Sequence, residues 1–537
     1  MPRPISTSTN PWTTDNALLI YIAAVTVLIH IATGNRYGFH RDEMAVLEDA
    51  RHLSWGYVAY PPVTPFFGRI ALALFGTSLV GFRFFAAAVQ ALAVFLTGKM
   101  AQALGGRREA QLLAALAAVP FCLGAGALMQ YTSFDYLFWV LTAYFMIRLL
   151  QTNDPRWLLA AGASIGLGMM SKYTMLFFIC GVVAGILFTG ARKYFRSRFL
   201  WIGVALSLLI FLPNFLWQLH HHFVSLDFLH FIHQRDVSAG LSRSFLPDQL
   251  EQTLLAFPLW LAGLYFYFFT ERGSRFRALG WMYILPLLLF VIAKGRGYYL
   301  APAYPMLYAA GAVVFQRAFA NNTRANILRF VRPALWTALL ISIAGAIVVG
   351  LPIAPVGSRW WYAAVEIDSS FPDEIGWLDL VSNLAKVRDS LPPEQQSKIG
   401  ILAENYGEVG AINLLGERYG LPRAISGVNS SWERGYGNPP PAITIVVGFT
   451  QQFVDDNFVS CRLAAHTWNS FGIPNEETAE RNNIFICGPP RQGWPSFWQD
   501  FQYFALRQKD EDLLPSRKWN CAILELSRAR PFFSPLI

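Results

Sequence analysis

Eleven apolar stretches occupy the first 352 residues, and no water-soluble core could bury so many. Read with their polar breaks they cover 17–33, 79–96, 110–128, 136–150, 157–170, 173–189, 199–217, 254–269, 278–293, 300–319 and 334–352. Crossing the hydrocarbon of a bilayer takes an α-helix of about 20 such residues, and shorter stretches are accommodated by local thinning of the bilayer or by anchors at their ends. Charged residues make up 14% of the chain, against roughly 25% in soluble domains. The expected fold is an α-helical polytopic membrane protein with about 11 transmembrane helices. The stretch 157–189 is nearly continuous, and Ser171-Lys172 is where it divides.

The formal net charge of +9 is unevenly placed. Residues 1–351 hold 27 Lys+Arg against 13 Asp+Glu, whereas 352–537 hold 16 against 21. The excess lies in the membrane part, where basic loops kept on the cytoplasmic side account for it, so nucleic acid is not an expected partner. The basic residues gather as Lys99, Arg107 and Arg108; Arg148 and Arg156; Arg192, Lys193, Arg196 and Arg198; Arg272, Arg275 and Arg277; and Arg317, Arg324, Arg329 and Arg332. These groups fall on alternate loops. Taking their side as cytoplasmic puts the N-terminus inside and, after eleven spans, the C-terminal part outside. Residues 1–16 carry one basic residue and lead into no short apolar core with a small-residue cleavage site, so the first helix is expected to be retained.

Acids mark the opposite face: Asp42, Glu43, Glu48 and Asp49 after the first span, Asp135 at the start of the fourth, and Asp227, Asp236, Asp248 and Glu251 after the seventh. Chemistry is expected there. Within the long outer loop 34–78, residues 41–55 can form a helix lying along the membrane surface. After Pro352 the composition becomes that of a soluble domain. Helices are expected at 376–390 and 408–419 and strands at 398–403, 442–449 and 483–487, giving a small α/β domain. The expected division is thus 1–352, a membrane domain carrying loop 34–78, and 353–537, an extracytoplasmic α/β domain. Tyr406-Gly407-Glu408-Val409-Gly410 falls between strand and helix but lacks the full glycine pattern of a dinucleotide site.

Five cysteines are too few for a disulfide scaffold. Cys122 and Cys180 lie inside spans; Cys461 and Cys487 flank adjacent strand-like runs and could bridge on an oxidising side, leaving Cys521 free. His220, His221, His222, His230 and His233 resemble a metal cluster, but three adjacent histidines point in different directions on a helix, and an interfacial loop with histidine and aromatic anchors explains them more simply.

Two adjacent carboxylates at a membrane boundary, Asp42 and Glu43, either cap a surface helix or are used in chemistry. Tyr60-Pro61-Pro62 forms a stiff turn back toward the membrane, and Lys172 interrupts an apolar pair of spans. Lys294-Gly295-Arg296-Gly297-Tyr298-Tyr299 joins the ninth and tenth spans on the acidic face. Cationic side chains on glycine-flanked backbone suit a lipid phosphate, although snorkelling anchors would have the same composition.

The order of these features is specific: Asp42-Glu43 after the first span, Ala50-Arg51-His52-Leu53-Ser54-Trp55-Gly56-Tyr57 leading to Pro61-Pro62, Asp135 opening the fourth span, and Gly168-Met169-Met170-Ser171-Lys172-Tyr173-Thr174. It resembles bacterial members of the glycosyltransferase C superfamily, in the branch of protein O-mannosyltransferases and lipid A aminoarabinose transferases. The resemblance covers the membrane part. Gly400-Ile401-Leu402 to Asn405-Tyr406-Gly407-Glu408, with Leu421-Pro422, looks like the extracytoplasmic domain of that branch's uncharacterised bacterial members.

The resemblance implies a bacterial inner-membrane transferase that takes a sugar from a polyprenyl monophosphate sugar and delivers it, with inversion, to an extracytoplasmic lipid, polysaccharide or protein. The family's catalytic acid maps onto Asp42 and its variable neighbour onto Glu43. The position before the double proline, commonly His in mannosyltransferases and Lys in aminoarabinose transferases, is Tyr60, so neither sugar is implied. One base suffices for such a reaction, because phosphate leaves without the proton that a glycosidic alkoxide needs. Asp42 is expected to take the acceptor's proton, or to orient sugar or acceptor where the acceptor is itself a phosphate. Lys294, Arg296 and Tyr298 are expected at the donor phosphate, with Tyr60 and the pair Asp135 and Lys172 as second-rank site residues. No cofactor is demanded, and a divalent metal, though compatible, is not indicated. A secondary transporter would carry its ionisable residues near the midplane with internal repeats, which are not visible here; a non-catalytic protein binding envelope polymers would tolerate loss of Asp42.

Overall fold

The computed structural model describes residues 14–320, 325–479 and 481–504. Every one of the eleven apolar stretches lies on a helix: Asp15–Thr33, Leu79–Ala103, Arg108–Gly126, Tyr131–Thr152, Trp157–Met169, Met175–Leu187, Arg198–His220, Phe257–Phe269, Arg277–Ile292, Tyr304–Ala320 and Ala325–Gly350. Among the described residues seven helices are long and apolar enough to cross a membrane, or eight if Met175–Leu187 and Gly190–Arg196, bent by 100°, form one span. The chain is a multi-pass membrane protein with a small C-terminal sheet domain.

The chain divides into two compact units, one made of Met1–Thr33, Arg83–Phe215 and Leu241–Leu351, the other of Gly34–Phe82, Leu216–Gly240 and Pro352–Ile537. The change of composition at Pro352 is therefore one of several places where the chain passes between units. The first unit is a helical bundle in which small residues bring backbones together, as expected where lipid removes the hydrophobic drive for helix association. A Cβ added at Gly263 would meet the Leu307 backbone and one at Gly311 the Leu259 backbone, so Phe257–Phe269 and Tyr304–Ala320 pack with almost no side chain between them.

The second unit is built on a five-stranded sheet of β1 (Ile399–Ala403), β2 (Ala424–Ile425), β3 (Ile443–Val447), β4 (Arg462–His466) and β5 (Asn483–Cys487), in the order β2-β1-β3-β5-β4. β1 runs parallel to β2 and β3, with Ile401 opposite Ile445, and β5 runs antiparallel to β3 and β4. β1 is buried along its whole length, which explains its continuous apolar sequence. The helix expected at 376–390 forms as Trp377–Asp389, and that expected at 408–419 starts earlier, as Tyr406–Leu415, then tightens into a 3-10 turn at Gly416–Tyr419.

Loop 34–78 differs from its expected form. Its helix ends at Arg51 and not at 55, a second helix follows at Val63–Phe75, and both belong to the unit containing the sheet. Seven of the eleven residues of Arg41–Arg51 are buried, so this is an enclosed helix and not a solvated amphipathic one. A Cβ at Gly410 would meet Met44, which allows Arg41–Arg51 to lie directly on Tyr406–Leu415.

Candidate functional site

The Arg41–Arg51 helix begins with a reciprocal cap. The His40 Nδ1 accepts from the Asp42 N–H at 3.1 Å, and the Glu43 carboxylate accepts from the His40 N–H at 3.0 Å. Glu43 is completely buried and its carboxylate is engaged in starting the helix. Asp42, one residue earlier on the same turn, keeps a side chain 29% exposed. Its Oδ1 accepts from the Tyr406 hydroxyl at 2.9 Å, and its Oδ2 lies 4.0 Å from His40 Nδ1. The adjacent pair is thus split by structure, one acid committed to the helix and the other reaching solvent.

Around Asp42 lies a dense ionic cluster. Arg41 pairs with Glu476 at 2.5 Å, Glu477 at 3.3 Å and Asp373 at 3.9 Å, and its guanidinium lies 5.6 Å from the centre of the Tyr406 ring. Burial pushes the Asp373 carboxyl up to about 7 despite the opposing pull of Arg41. Burial, with Glu477 beside it, also raises Glu408 well above the ordinary range. Arg481 pairs with the buried Glu404. Among the described residues no three of His, Cys, Asp and Glu are gathered so as to hold a metal ion.

Further along the same helix, Asp49 accepts from the Tyr60 hydroxyl at 2.7 Å and pairs with Arg434. Burial lifts its carboxyl to about 6, against the pull of Arg434. Tyr60, the residue before the double proline, is 6% exposed and turned inward to this acid. The turn that carries it is closed by the Tyr57 N–H donating to the Tyr60 carbonyl at 3.2 Å, and is tied down by Ser430, whose hydroxyl accepts from the Val58 N–H at 2.9 Å. Of the clustered histidines, His221 stacks on Trp217 with ring centres 3.9 Å apart and lies 3.7 Å from Glu433, and His230 bonds to Gln234 at 2.8 Å. Cys461 and Cys487 are joined by a disulfide at the β4–β5 edge; Cys521 lies outside the described residues.

The remaining candidates come together in the helical unit. Asp135 is 2% exposed and accepts from the Trp139 indole at 3.0 Å and the Thr174 hydroxyl at 2.9 Å. The Lys172 ammonium sits 4.5 Å, 4.9 Å and 5.1 Å from the ring centres of Tyr299, Tyr298 and Tyr131. Such a ring of π faces holds a cation without neutralising it. Asp135 attracts this ammonium and Arg296 repels it. Lys294 is exposed, with φ of 49°, whereas Arg296 is half-buried. The loop is pinned at Gly297, whose carbonyl accepts from the Gln249 amide at 3.1 Å. A Cβ there would overlap the Asp248 side chain.

Asp42, Asp49, Asp135, Lys172 and the 294–299 loop stand out in the sequence as candidates, but Tyr406 as the partner of Asp42, Arg434 as that of Asp49, and Tyr131 and Tyr299 as those of Lys172 do not. Only Tyr406 had a usable signal: Asn405 and Glu408 bracket it with the spacing of a capping box, which fixes it at a helix start.

A family model described as dolichyl-phosphate-mannose-protein mannosyltransferase matches residues 59–217. No curated protein matches the chain. Among solved structures, ArnT from Cupriavidus metallidurans bound to undecaprenyl phosphate superposes with a TM-score of 0.58 at 15% identity, covering 88% of this chain and 98% of that one. The same protein in the apo state gives 0.56 at 15% identity, covering 87% and 97%. The Archaeoglobus fulgidus oligosaccharyltransferase in complex with Zn and sulfate is more distant, at 0.49 and 14% identity, covering 79% and 68%. At these identities the likeness is one of fold. The fold is one shared with ArnT, and residues 59–217 are similar to the family that the mannosyltransferase model describes.

Proposed function

We propose that the chain transfers a sugar, with inversion, from a polyprenyl monophosphate sugar to an acceptor outside the cytoplasm of a bacterium, with its N-terminus cytoplasmic and its C-terminal domain on the far side of the inner membrane. The acceptor oxygen attacks the anomeric carbon while the bond from that carbon to the phosphate oxygen breaks. The bonding pair leaves on the phosphate. A hydroxyl acceptor also gives up its proton, and Asp42 receives it. General-base help of this kind contributes about 10² to 10⁴ in rate.

The observation that carries this reading is the contrast between the two acids of the first loop. Glu43 is completely buried in the helix cap, whereas Asp42 accepts from the Tyr406 hydroxyl and keeps a side chain 29% exposed. That is the environment a base needs: oriented, and open to an incoming hydroxyl. Within the helical unit, Lys172 held among tyrosines and Arg296 on its pinned loop form a cationic group of the kind a lipid phosphate binds, with Tyr298 and the exposed Lys294 alongside in sequence. Cations fixed before the bond breaks stabilise the charge that develops on the phosphate. The undecaprenyl phosphate bound by ArnT is consistent with a lipid donor of this class.

The test is release of polyprenyl phosphate and transfer of label by the purified chain. The probes are radiolabelled undecaprenyl monophosphate sugars carrying mannose, glucose, galactose or aminoarabinose, with an envelope extract as acceptor. Release with one of them, lost in a monodisperse Asp42→Asn variant, is the expected outcome. Equal rates in both proteins would remove Asp42 from the chemistry, and no release with any donor would favour a binding or transport role.

A further inference from the structure

The group that touches Asp42 lies 364 positions later in the chain. Tyr406 is the first residue of the Tyr406–Leu415 helix, and its backbone is fixed by a two-way cap. The Asn405 side chain accepts from the Glu408 N–H at 2.8 Å, and the Glu408 carboxylate accepts from the Asn405 N–H at 3.2 Å. The ring of Tyr406 is fixed as well, because the Arg41 guanidinium covers it and is clamped in turn by Glu476 and Glu477. Asn405 donates to the same Glu477 at 3.1 Å. The contacts therefore form a closed circuit: Asp42 to Tyr406, Tyr406 to Arg41, Arg41 to Glu477, and Glu477 to Asn405, which is bonded covalently to Tyr406. Arg41 and Asp42 are likewise neighbours in the chain. No member can turn without breaking a contact of another.

The hydroxyl at the end of this circuit has one task available to it. It donates to Oδ1 of Asp42, which fixes the orientation of the carboxylate. Burial and the neighbouring carboxylate hold the phenol proton on, so the bond keeps its donor as pH varies. We propose that Tyr406, supplied by the C-terminal domain, is the positioning residue for transfer: its hydrogen bond orients the Asp42 carboxylate toward the attacking hydroxyl. The inference rests on Asp42 acting as base. It assigns the C-terminal domain a direct part in aiming that base.

Tyr406→Phe removes the donor and retains the ring beneath Arg41, so the circuit survives. A hydrogen bond to a charged group is worth a rate factor of about 10 to 100 where it sets the geometry of the reacting group. With the undecaprenyl monophosphate sugar that wild type uses, kcat is expected to fall by about that factor while the donor KM and the apparent melting temperature stay at their wild-type values. In an Asp42→Asn background the same substitution is expected to cause no further loss in residual label transfer, because there is no base left to aim. A monodisperse Tyr406→Phe protein with wild-type kcat overturns the inference. So does an equal fold-loss in both backgrounds, which would mean that Tyr406 acts independently of Asp42. If Asp42→Asn is inactive and Tyr406→Phe normal, only the positioning role falls. If Asp42→Asn is itself fully active, the reading of Asp42 as base falls and takes this inference with it.

Discussion

Tyr60 donates its hydroxyl to Oδ2 of Asp49 at 2.7 Å, and Arg434 closes on the other oxygen of the same carboxylate. The residue that precedes the double proline is thus spent on a buried acid of the first-loop helix. Tyr60→Phe leaves one oxygen of Asp49 without its hydroxyl donor in a site that water cannot easily reach. The expected cost is about 1–3 kcal/mol. It should be read as a lowered apparent melting temperature in detergent at a fixed scan rate, and an unchanged melting profile would show that another group replaces the bond.

The buried acids also predict how stability depends on pH. Asp373 is raised from 3.8 to about 7 in the folded protein, chiefly by burial. An acid whose folded value exceeds its unfolded value binds more protons when folded. Its contribution is therefore fully present below about 3.8 and is lost as pH rises toward 7. Asp49 has the same sign over a narrower window, up to about 6. Relative to Asp373→Asn, wild type is expected to lose stability steadily between pH 4 and pH 7. A difference in melting temperature that stays flat or rises over this range would contradict the assignment.

Lys172 and Lys294 should behave differently although both are lysines bordering apolar helices. Lys172 is enclosed by Tyr131, Tyr298 and Tyr299, whereas Lys294 is exposed. Lys172→Met is expected to lower kcat/KM for the polyprenyl donor by about 10- to 100-fold, the loss of one charge-assisted contact in a site with little water. Lys294→Ala is expected to change it less than threefold, as for a charge screened by solvent. Steady-state kinetics with each variant decide this, and equal losses would mean that the exposed lysine moves onto the donor.

The membrane helices are legible in sequence because apolar runs are a local pattern, and the order of short motifs singles out Asp42 as a candidate. The partnerships are not legible. Lys172 reads as a polar break in an apolar run, and nothing local indicates that Tyr131 and Tyr299 from two other segments will enclose it. Asp42-Glu43 reads as one acidic pair, and only the capping geometry separates their roles. β4 was missed because Arg462–His466 is an edge strand with no fully buried residue, so burial had imposed no alternation on its sequence. The helix at 41–55 was read as lying along the membrane surface because its charges suggest solvation, whereas most of those charges find partners in the C-terminal domain.

The disulfide gives a test confined to the sheet. Cys461 immediately precedes β4 and Cys487 ends β5, and the bond closes a loop over a sequence separation of 26. Loop-closure entropy for that length corresponds to about 3–4 kcal/mol. A Cys461→Ser, Cys487→Ser protein should therefore melt at a lower temperature and become indifferent to dithiothreitol, while wild type shifts downward when the reductant is added. Identical melting with and without reductant in wild type would mean that the bond contributes nothing.

Gly410 tests whether the fit of the first loop on the C-terminal domain matters to chemistry. Its backbone faces Met44 so closely that an added Cβ would overlap the Met44 side chain and carbonyl. Gly410→Ala favours the helix it sits in, by roughly 1 kcal/mol of intrinsic propensity. It also forces Arg41–Arg51 outward, and overpacking of this kind typically costs about 1–3 kcal/mol. The Asp42–Tyr406 bond spans the same two helices, so an outward shift of a few tenths of an ångström stretches the 2.9 Å contact without altering either side chain. Transfer is expected to fall several-fold in Gly410→Ala. Wild-type transfer by Gly410→Ala would mean that the helices separate without moving the carboxylate.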